Sequence, residues 1–111
     1  MRDANAPAYC SVFTAAVELI GRRWTGAIVR ALTNGIERFS DLACTIEGIS
    51  FKMLSERLKE LEEAGIVDRI VTTGRPVQIA YRLTEKGQAL AITLRSVAQW
   101  AYTWHDSESK D

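Results

Sequence analysis

Residues 49–67, ISFKMLSERLKELEEAGIV, show a regular helical pattern of hydrophobic and polar positions. The hydrophobic positions recur at three- and four-residue spacing and form one stripe, made of Phe51, Leu54, Leu58 and Leu61. The opposite face is charged and carries Lys52, Glu56, Lys59 and Glu63. Ser50 can cap the first turn, and Gly65 suits the left-handed conformation that often ends a helix. The pattern predicts a helix that is anchored along one side and free on the other.

Two more helices are predicted near the start of the chain. Residues 11–20 form an amphipathic stretch that Ser11 can cap. Residues 23–33 form a second helix, which the Asn-Gly pair at 34–35 terminates. Its predicted inner face consists of Trp24, Ala27, Ile28, Ala31 and Leu32. Residues 36–39 are too few for a helix, and we expect a brief extended segment there.

A third short helix is predicted directly before the stretch described first. Ser40 can cap it and Gly48 stops it, and its inward positions are Leu42, Ala43 and Ile46. Two short helices separated by a glycine-containing turn, the second with a polar outer face, match the spacing of a helix-turn-helix.

After Gly65 the pattern changes to that of β-strands. Residues 66–72 and 77–84 are rich in β-branched and aromatic side chains, and Thr73-Gly74-Arg75-Pro76 lies between them. The second run alternates, with Val77, Ile79, Tyr81 and Leu83 on the predicted buried face. This predicts a β-hairpin with Arg75 at its tip. Joined to a helix-turn-helix, such a hairpin is a wing.

The last helix carries more hydrophobic surface than a small core needs. Thr84 caps it, and Glu85 lies in its first turn, where the helix dipole favours an acid. Its stripe consists of Leu90, Leu94, Val97, Ala101 and Trp104, and Trp100 lies beside this stripe. The surplus indicates a partner surface, and a homodimer is the simplest interpretation. We assign Val12 and Phe13 of the first helix to the same interface.

The predicted fold is therefore mainly α (α+β): a winged helix-turn-helix with a two-stranded β wing and a long C-terminal dimerisation helix. We expect a flexible N-terminal arm at 1–9, the domain at 10–104 and a polar tail at 105–111.

Composition narrows the possible functions. The chain has 111 residues, 47% of them hydrophobic and 25% charged, and no uninterrupted apolar run near the roughly 20 residues that span a bilayer. With no signal-peptide pattern at the start, a cytoplasmic protein is expected. Two cysteines and one histidine, His105, offer neither a disulfide framework nor a metal site. We predict no cofactor, no metal and no catalytic residues, and so no enzyme.

The net charge is zero, which argues against a non-specific nucleic-acid binder but not against a site-specific one. Basic residues fall on the elements of the predicted DNA-binding face: Arg38, Lys52, Arg57 and Arg75.

Several motifs in order resemble one family of bacterial and archaeal regulators. They are Cys10, LIGRRW at 19–24, RFSDL at 38–42, GISFKMLSERLKELEEAGIV at 48–67, Pro76 and YRLTEKGQAL at 81–90. As a set they resemble the HxlR-type transcription regulators. The resemblance implies a dimeric winged-helix DNA-binding protein whose dimer is built from the terminal helices. Some members sense electrophiles or oxidants through an N-terminal cysteine, usually in a Cys-Pro pair; here the pair is Cys10-Ser11.

The predicted partner is double-stranded DNA, bound by a homodimer at a palindromic operator, with repression as the expected outcome. The predicted DNA-binding residues are Arg38, Ser40, Ser50, Lys52, Met53, Ser55, Glu56, Arg57, Lys59 and Arg75. Arginine and lysine can donate to guanine edges or to phosphate. Three alternatives stay open: Glu56 pairs only with a lysine one turn away, Arg57 has an intramolecular role, and Arg75 is a solvated turn residue.

The input signal is also left open by the sequence. Cys10 is the candidate redox sensor, which requires a reactive and accessible thiol, and ordinary packing is the alternative. Cys44, with apolar neighbours in a short helix, is expected to be filler. Aromatic residues of the last helix could line a small-molecule pocket, although interface packing is commoner. A different class of function, a winged-helix module that binds another protein rather than DNA, remains the alternative.

Overall fold

The computed structural model describes residues 10–108. The N-terminal arm predicted at residues 1–9 and the end of the predicted polar tail lie outside that range. Five helices and a two-stranded antiparallel sheet follow one another in the order predicted: α1 (Ser11–Gly21), α2 (Thr25–Thr33), α3 (Phe39–Thr45), α4 (Phe51–Glu63), β1 (Val67–Thr72), β2 (Gln78–Leu83) and α5 (Glu85–Glu108). This is a winged helix-turn-helix, so the predicted fold class is confirmed. Helix α5 continues past residue 105, where the sequence predicted the polar tail to begin.

The core is built where α2, α3 and α4 meet the base of the hairpin. Leu54, Leu58 and Leu61 of α4 are all buried, as predicted. Burying a leucine side chain contributes about 1.5–3 kcal/mol, an upper estimate because unfolded chains are partly collapsed. The remaining buried hydrophobic residues are Ile28, Val29, Ala31, Leu32, Leu42, Ile46, Ile66, Val67 and Tyr81. One hydrophobic core therefore holds the helix-turn-helix and the wing base together.

Two of the predicted N-cap residues, Ser11 and Ser40, are wrong. Ser11 is the first residue of α1, and Cys10 is the N-cap without a side-chain cap bond. Ser40 is the second residue of α3, whose N-cap is Arg38. The Leu42 N–H donates to the Arg38 carbonyl at 2.9 Å, and this bond fixes the start of α3 before the serine.

Helix α2 begins two residues later than predicted. Trp24 has a φ of 80°, in the left-handed region that non-glycine residues seldom occupy, so the helix starts at Thr25. The inner face is also rotated, because Val29 is buried while Ala27 is exposed. The predicted end is confirmed, since Asn34 is the C-cap and Gly35 has a φ of 85°.

The hairpin is joined to the rest of the domain through the extended segment before α3. Tyr81 donates its backbone N–H to the Glu37 carbonyl at 2.8 Å, and Arg38 bridges Ala80 in antiparallel fashion. On the outer face the Arg82 guanidinium lies 3.1 Å from the Glu37 carboxylate. The predicted buried alternation holds at Tyr81 but not at Val77, which is exposed because it lies beyond the paired strands. The segment at 37–38 thus adds a short third edge to the small sheet.

The start of α5 lies in very close contact with the chain that leaves α4. The Thr84 hydroxyl accepts the Gly87 N–H at 3.0 Å, which confirms the predicted cap, and donates to the Gly65 carbonyl. Gly87 is buried, and a Cβ atom there would overlap the carbonyl oxygen of Ile66. Only glycine allows this approach.

We predict that Gly87→Ala lowers the free energy of unfolding by about 1–3 kcal/mol, the usual range for an added methyl group that has no space. The neighbouring atom is a backbone oxygen and cannot rotate away. Urea unfolding at fixed protein concentration, followed by circular dichroism, measures the change.

Gly26→Ala is the matched control. Gly26 lies inside α2, and no heavy atom outside its own helical turn lies within 4 Å of the position that a Cβ would occupy. The same substitution should therefore be neutral or stabilise by about 0.5–1 kcal/mol. Equal effects of the two substitutions would contradict the close-packing explanation.

Candidate nucleic-acid interface

The outward face of α4 is polar along its first two turns. Lys52, Ser55, Glu56 and Lys59 are exposed and Met53 is half-buried. The Ser50 hydroxyl accepts the Met53 N–H at 3.0 Å, so the predicted cap is confirmed and the start of the helix is fixed. Among the described residues no ion pair involves Lys52, Glu56 or Lys59. The predicted pairing of Glu56 with a neighbouring lysine is therefore not formed, and these groups face outward.

Arg57 differs from the other predicted DNA-binding residues. Only 13% of its side chain is exposed. Its Nε donates to the Arg23 carbonyl at 3.0 Å, and its Nη1 lies 3.3 Å from the Glu60 carboxylate. The structure thus places Arg57 in the intramolecular role that the sequence left open as an alternative. Because hydrogen bonds to ionised groups are stronger than neutral ones, this contact fastens α4 to the chain before α2.

The turn at residues 22–24, which we call the α1–α2 turn, is bonded to α4 and lies beside the turn between α3 and α4. Arg22 also bonds Glu60, with Nη2 2.7 Å from the carboxylate. The Arg23 guanidinium lies over the Trp24 ring at 4.6 Å from its centroid. A Cβ atom at Gly48, the left-handed residue between α3 and α4, would lie 3.5 Å from the same ring. The sequence pattern did not reveal this arrangement, although the consecutive arginines before a tryptophan were a visible signal.

Phe51 does not join the buried leucine stripe, so its prediction as a core residue is wrong. It is 69% exposed at the first position of α4. Phe51 is the first residue of α4, and the hydrophobic core extends along the helix only as far as Leu54. Its ring meets only the edge of the helix-turn-helix, where its centroid lies 6.0 Å from that of Phe39.

The start of α3 and the wing tip add further exposed polar groups. Arg38 and Ser40 are exposed where α3 begins, and Arg75 is exposed in the loop between the strands. Within residues 10–108 no ion pair involves Arg38 or Arg75. Glu60 is paired with two arginines, whereas Arg38, Lys52, Lys59 and Arg75 are exposed and form no ion pair with another described residue.

The terminal helices expose most of the predicted interface residues. Val12 and Phe13 of α1 and Val97, Trp100 and Trp104 of α5 are exposed. Ala101 is exposed as well, whereas Leu90 and Leu94 are half-buried against the core. Tyr102 accepts a hydrogen bond from Arg30 of α2 at 3.1 Å, which ties the far half of α5 to the domain.

The two cysteines lie in different settings. Cys10 is half-buried at the N-cap of α1, and its carbonyl accepts the Thr14 N–H at 2.9 Å. Cys44 is exposed on α3, so the prediction that it fills apolar space is wrong. Cys44 lies on the exposed side of α3, which is only seven residues long.

Residues 19–109 match the model of the HxlR-like helix-turn-helix family. The chain belongs to this family. It is accordingly a helix-turn-helix transcription regulator and not an enzyme. In the described residues of this HxlR-like chain no helix is long and apolar enough to cross a membrane, and no cluster of side chains suited to a metal ion occurs.

Relatives of this HxlR-like chain include regulators from Bacillus subtilis. The chain is 43% identical over 107 residues to the uncharacterized HTH-type transcriptional regulator YvaP, covering 96% of this chain and 99% of YvaP. The reduced form of the transcriptional regulator YodB has a TM-score of 0.76 at 46% identity, covering 83% of this chain and 90% of that chain. YodB has also been solved after diamide treatment and with bound quinone. The redox regulator HypR in its reduced form has a TM-score of 0.81 at 29% identity, covering 91% and 100% of the two chains.

Proposed function

We propose that the protein binds a palindromic DNA operator as a homodimer and represses transcription there. The observation that carries the proposal is the exposed polar side of α4, held outward by its three buried leucines and flanked by the arginine of the wing. Residues 50–59 would enter the major groove, and residues 73–76 would lie on the neighbouring minor groove. Arg38 and Ser40 would contact phosphate and set the orientation.

The exposed surfaces of α1 and α5 support the homodimer. A compact domain of this length has a radius of gyration of about 13 Å, whereas this chain has 16.0 Å. Helix α5 has 24 residues and so is about 36 Å long. Exposed tryptophans along such a helix favour burial against a second copy of the chain. The two recognition helices would then lie about 34 Å apart, one turn of the duplex.

Selection of bound sequences from a random DNA pool tests the proposal. We expect an inverted repeat to be enriched, and one dimer per selected duplex in sedimentation analysis. Enrichment of no sequence, together with binding of a protein to α4, would support the alternative of a protein-interaction module.

We predict that Lys52→Ala weakens binding to the selected operator far more than binding to random duplex. A bidentate or base-edge contact discriminates by about 1–3 kcal/mol, whereas a phosphate contact is independent of sequence. Fluorescence anisotropy with the two duplexes measures both affinities. Equal weakening on both would show that Lys52 contacts only the backbone.

We predict that Arg75→Ala reduces the slope of log affinity against log salt by about one, because one phosphate or minor-groove contact is lost. The slope is measured by titrations at several salt concentrations. Arg95→Ala, at an exposed arginine of α5 outside the proposed DNA interface, is the matched control and should leave the slope unchanged. An unchanged slope for Arg75→Ala would remove the wing from the interface.

We further propose that electrophiles regulate this DNA binding through Cys10. Structures of YodB treated with diamide or bound to quinone, and of HypR in reduced and oxidised forms, show that such chemistry concerns related regulators. The Cys10 sulfur would add to a quinone ring carbon, and the thiol proton would end on a ring oxygen. The adduct would add bulk at the start of α1, beside the exposed apolar residues of that helix. A hydrophobic effector at the aromatic surface of α5 is the alternative input.

We predict that Cys10→Ser abolishes the loss of operator binding that a quinone causes in the wild type, while Cys44→Ser retains it. Mobility shift with and without quinone, and intact-protein mass spectrometry of the adduct, are the measurements. If Cys44→Ser is the variant that loses the response, the sensing thiol is on α3. If quinone does not change operator binding by the wild type, the proposed sensing role of Cys10 is wrong, whereas the proposed DNA binding is unaffected.

A further inference from the structure

Phe51 is an apolar side chain in an otherwise polar surface. Its phenyl ring is 69% exposed at the first position of α4, between the capping Ser50 and Lys52. Phe51 and Ser55, one helical turn apart, lie on the same flank of the helix and are both exposed. The ring therefore belongs to the same exposed surface as the polar groups of the proposed DNA contact.

The ring is held in place from the side. Its centroid lies 6.0 Å from that of Phe39, and the ring planes are tilted by 47°. Such tilted aromatic pairs are favourable beyond the area that they bury, because the positive edge of one ring approaches the negative face of the other. Phe39 is the first residue of α3 and is half-buried against the core. The contact restricts the position of the exposed ring without removing it from water.

The location of Phe51 distinguishes it from the other exposed hydrophobic residues. Among the described residues, the other large exposed hydrophobic side chains lie on α1, on α5 or on the wing. The proposed dimer uses α1 and α5, so it gives no partner to a ring at the start of α4. The first residues of a recognition helix are those that reach base edges.

We propose that Phe51 is a specificity-determining residue that contacts the 5-methyl group of a thymine in the major groove. This methyl group is the apolar feature that the major groove presents, and phenylalanine is one of the side chains that contact it. Phe51 would thus add an apolar component to recognition by Lys52 and Ser55. The proposal rests on the proposed DNA binding and specifies part of it.

Deoxyuridine substitution in the operator tests this contact, because it removes the methyl group and leaves the base edge otherwise intact. Each thymine of the selected half-site is replaced in turn, and the affinity of the wild type is measured. One position per half-site should lose about fourfold in affinity for each methyl contact, the factor that corresponds to burial of one methylene-sized group. For Phe51→Ala the ratio of affinities for thymine and uracil at that position should be close to one.

Ile92→Ala is the matched control, since Ile92 is also exposed but lies on α5, away from its interface stripe. This variant should keep the wild-type thymine-to-uracil ratio at every position. Thermal unfolding of Phe51→Ala should stay close to that of the wild type, because the ring is mostly exposed.

Three outcomes would overturn the proposal: a wild type insensitive to every uracil, a selected half-site without thymine, or a Phe51→Ala variant that keeps the full ratio. A uniform loss of affinity in Phe51→Ala, with the ratio unchanged, would show that the ring only supports the helix. Failure of the wild type to select any DNA sequence would instead contradict the proposed function itself.

Discussion

The structure depends on burial of one side of α4. Leu54, Leu58 and Leu61 occupy the centre of the core, and the helices α2 and α3 and the wing base pack around the same residues. With three leucines fixed, rotation of α4 about its axis would expose apolar surface on one side and bury lysines on the other. The orientation of the polar face is therefore set by the core and needs no contact with a ligand.

A second set of contacts connects this helix to the start of the chain. Glu60 bonds both Arg22 and Arg57, and Arg57 also bonds the carbonyl of Arg23. Exposed ion pairs usually contribute little to stability, but these pairs include a mostly buried arginine and two partners for one carboxylate. They join α1, whose N-cap is Cys10, to the helix with the polar face. The end of α1 is therefore connected to α4 by a short path of hydrogen bonds.

The sequence predicted the order of the elements because hydrophobic period and turn residues agree along most of the chain. The predicted caps, Ser50 for α4 and Thr84 for α5, are correct for the same reason. The errors lie at helix starts, which the hydrophobic pattern alone does not set. The bond from the Leu42 N–H to the Arg38 carbonyl places the start of α3 ahead of Ser40, and the left-handed Trp24 shortens α2.

The composition of the candidate site was less predictable than the fold. A helical wheel assigns a residue to a face but does not show where the core ends along the helix, so Phe51 was placed inside. It also cannot show that a long side chain folds back, and so Arg57 was assigned equally to DNA and to its own chain. Distant partners such as Glu60 with Arg22 leave no local pattern, whereas exposed lysines on a strongly amphipathic helix do.

The backbone pairing of residues 37–38 with β2 limits how far the wing can move. Because Tyr81 of the hairpin is hydrogen-bonded to Glu37, directly before α3, the two parts cannot move apart without breaking this bond and the bridge between Arg38 and Ala80. Together with the core that α4 shares with the base of the hairpin, this pairing favours a fixed distance between α4 and the wing. A double helix whose groove widths differ from that distance must itself bend or twist, and stiff and pliable base steps differ in how readily they do so. In the proposed DNA complex, the preference for an operator would therefore also depend on base pairs that no side chain touches.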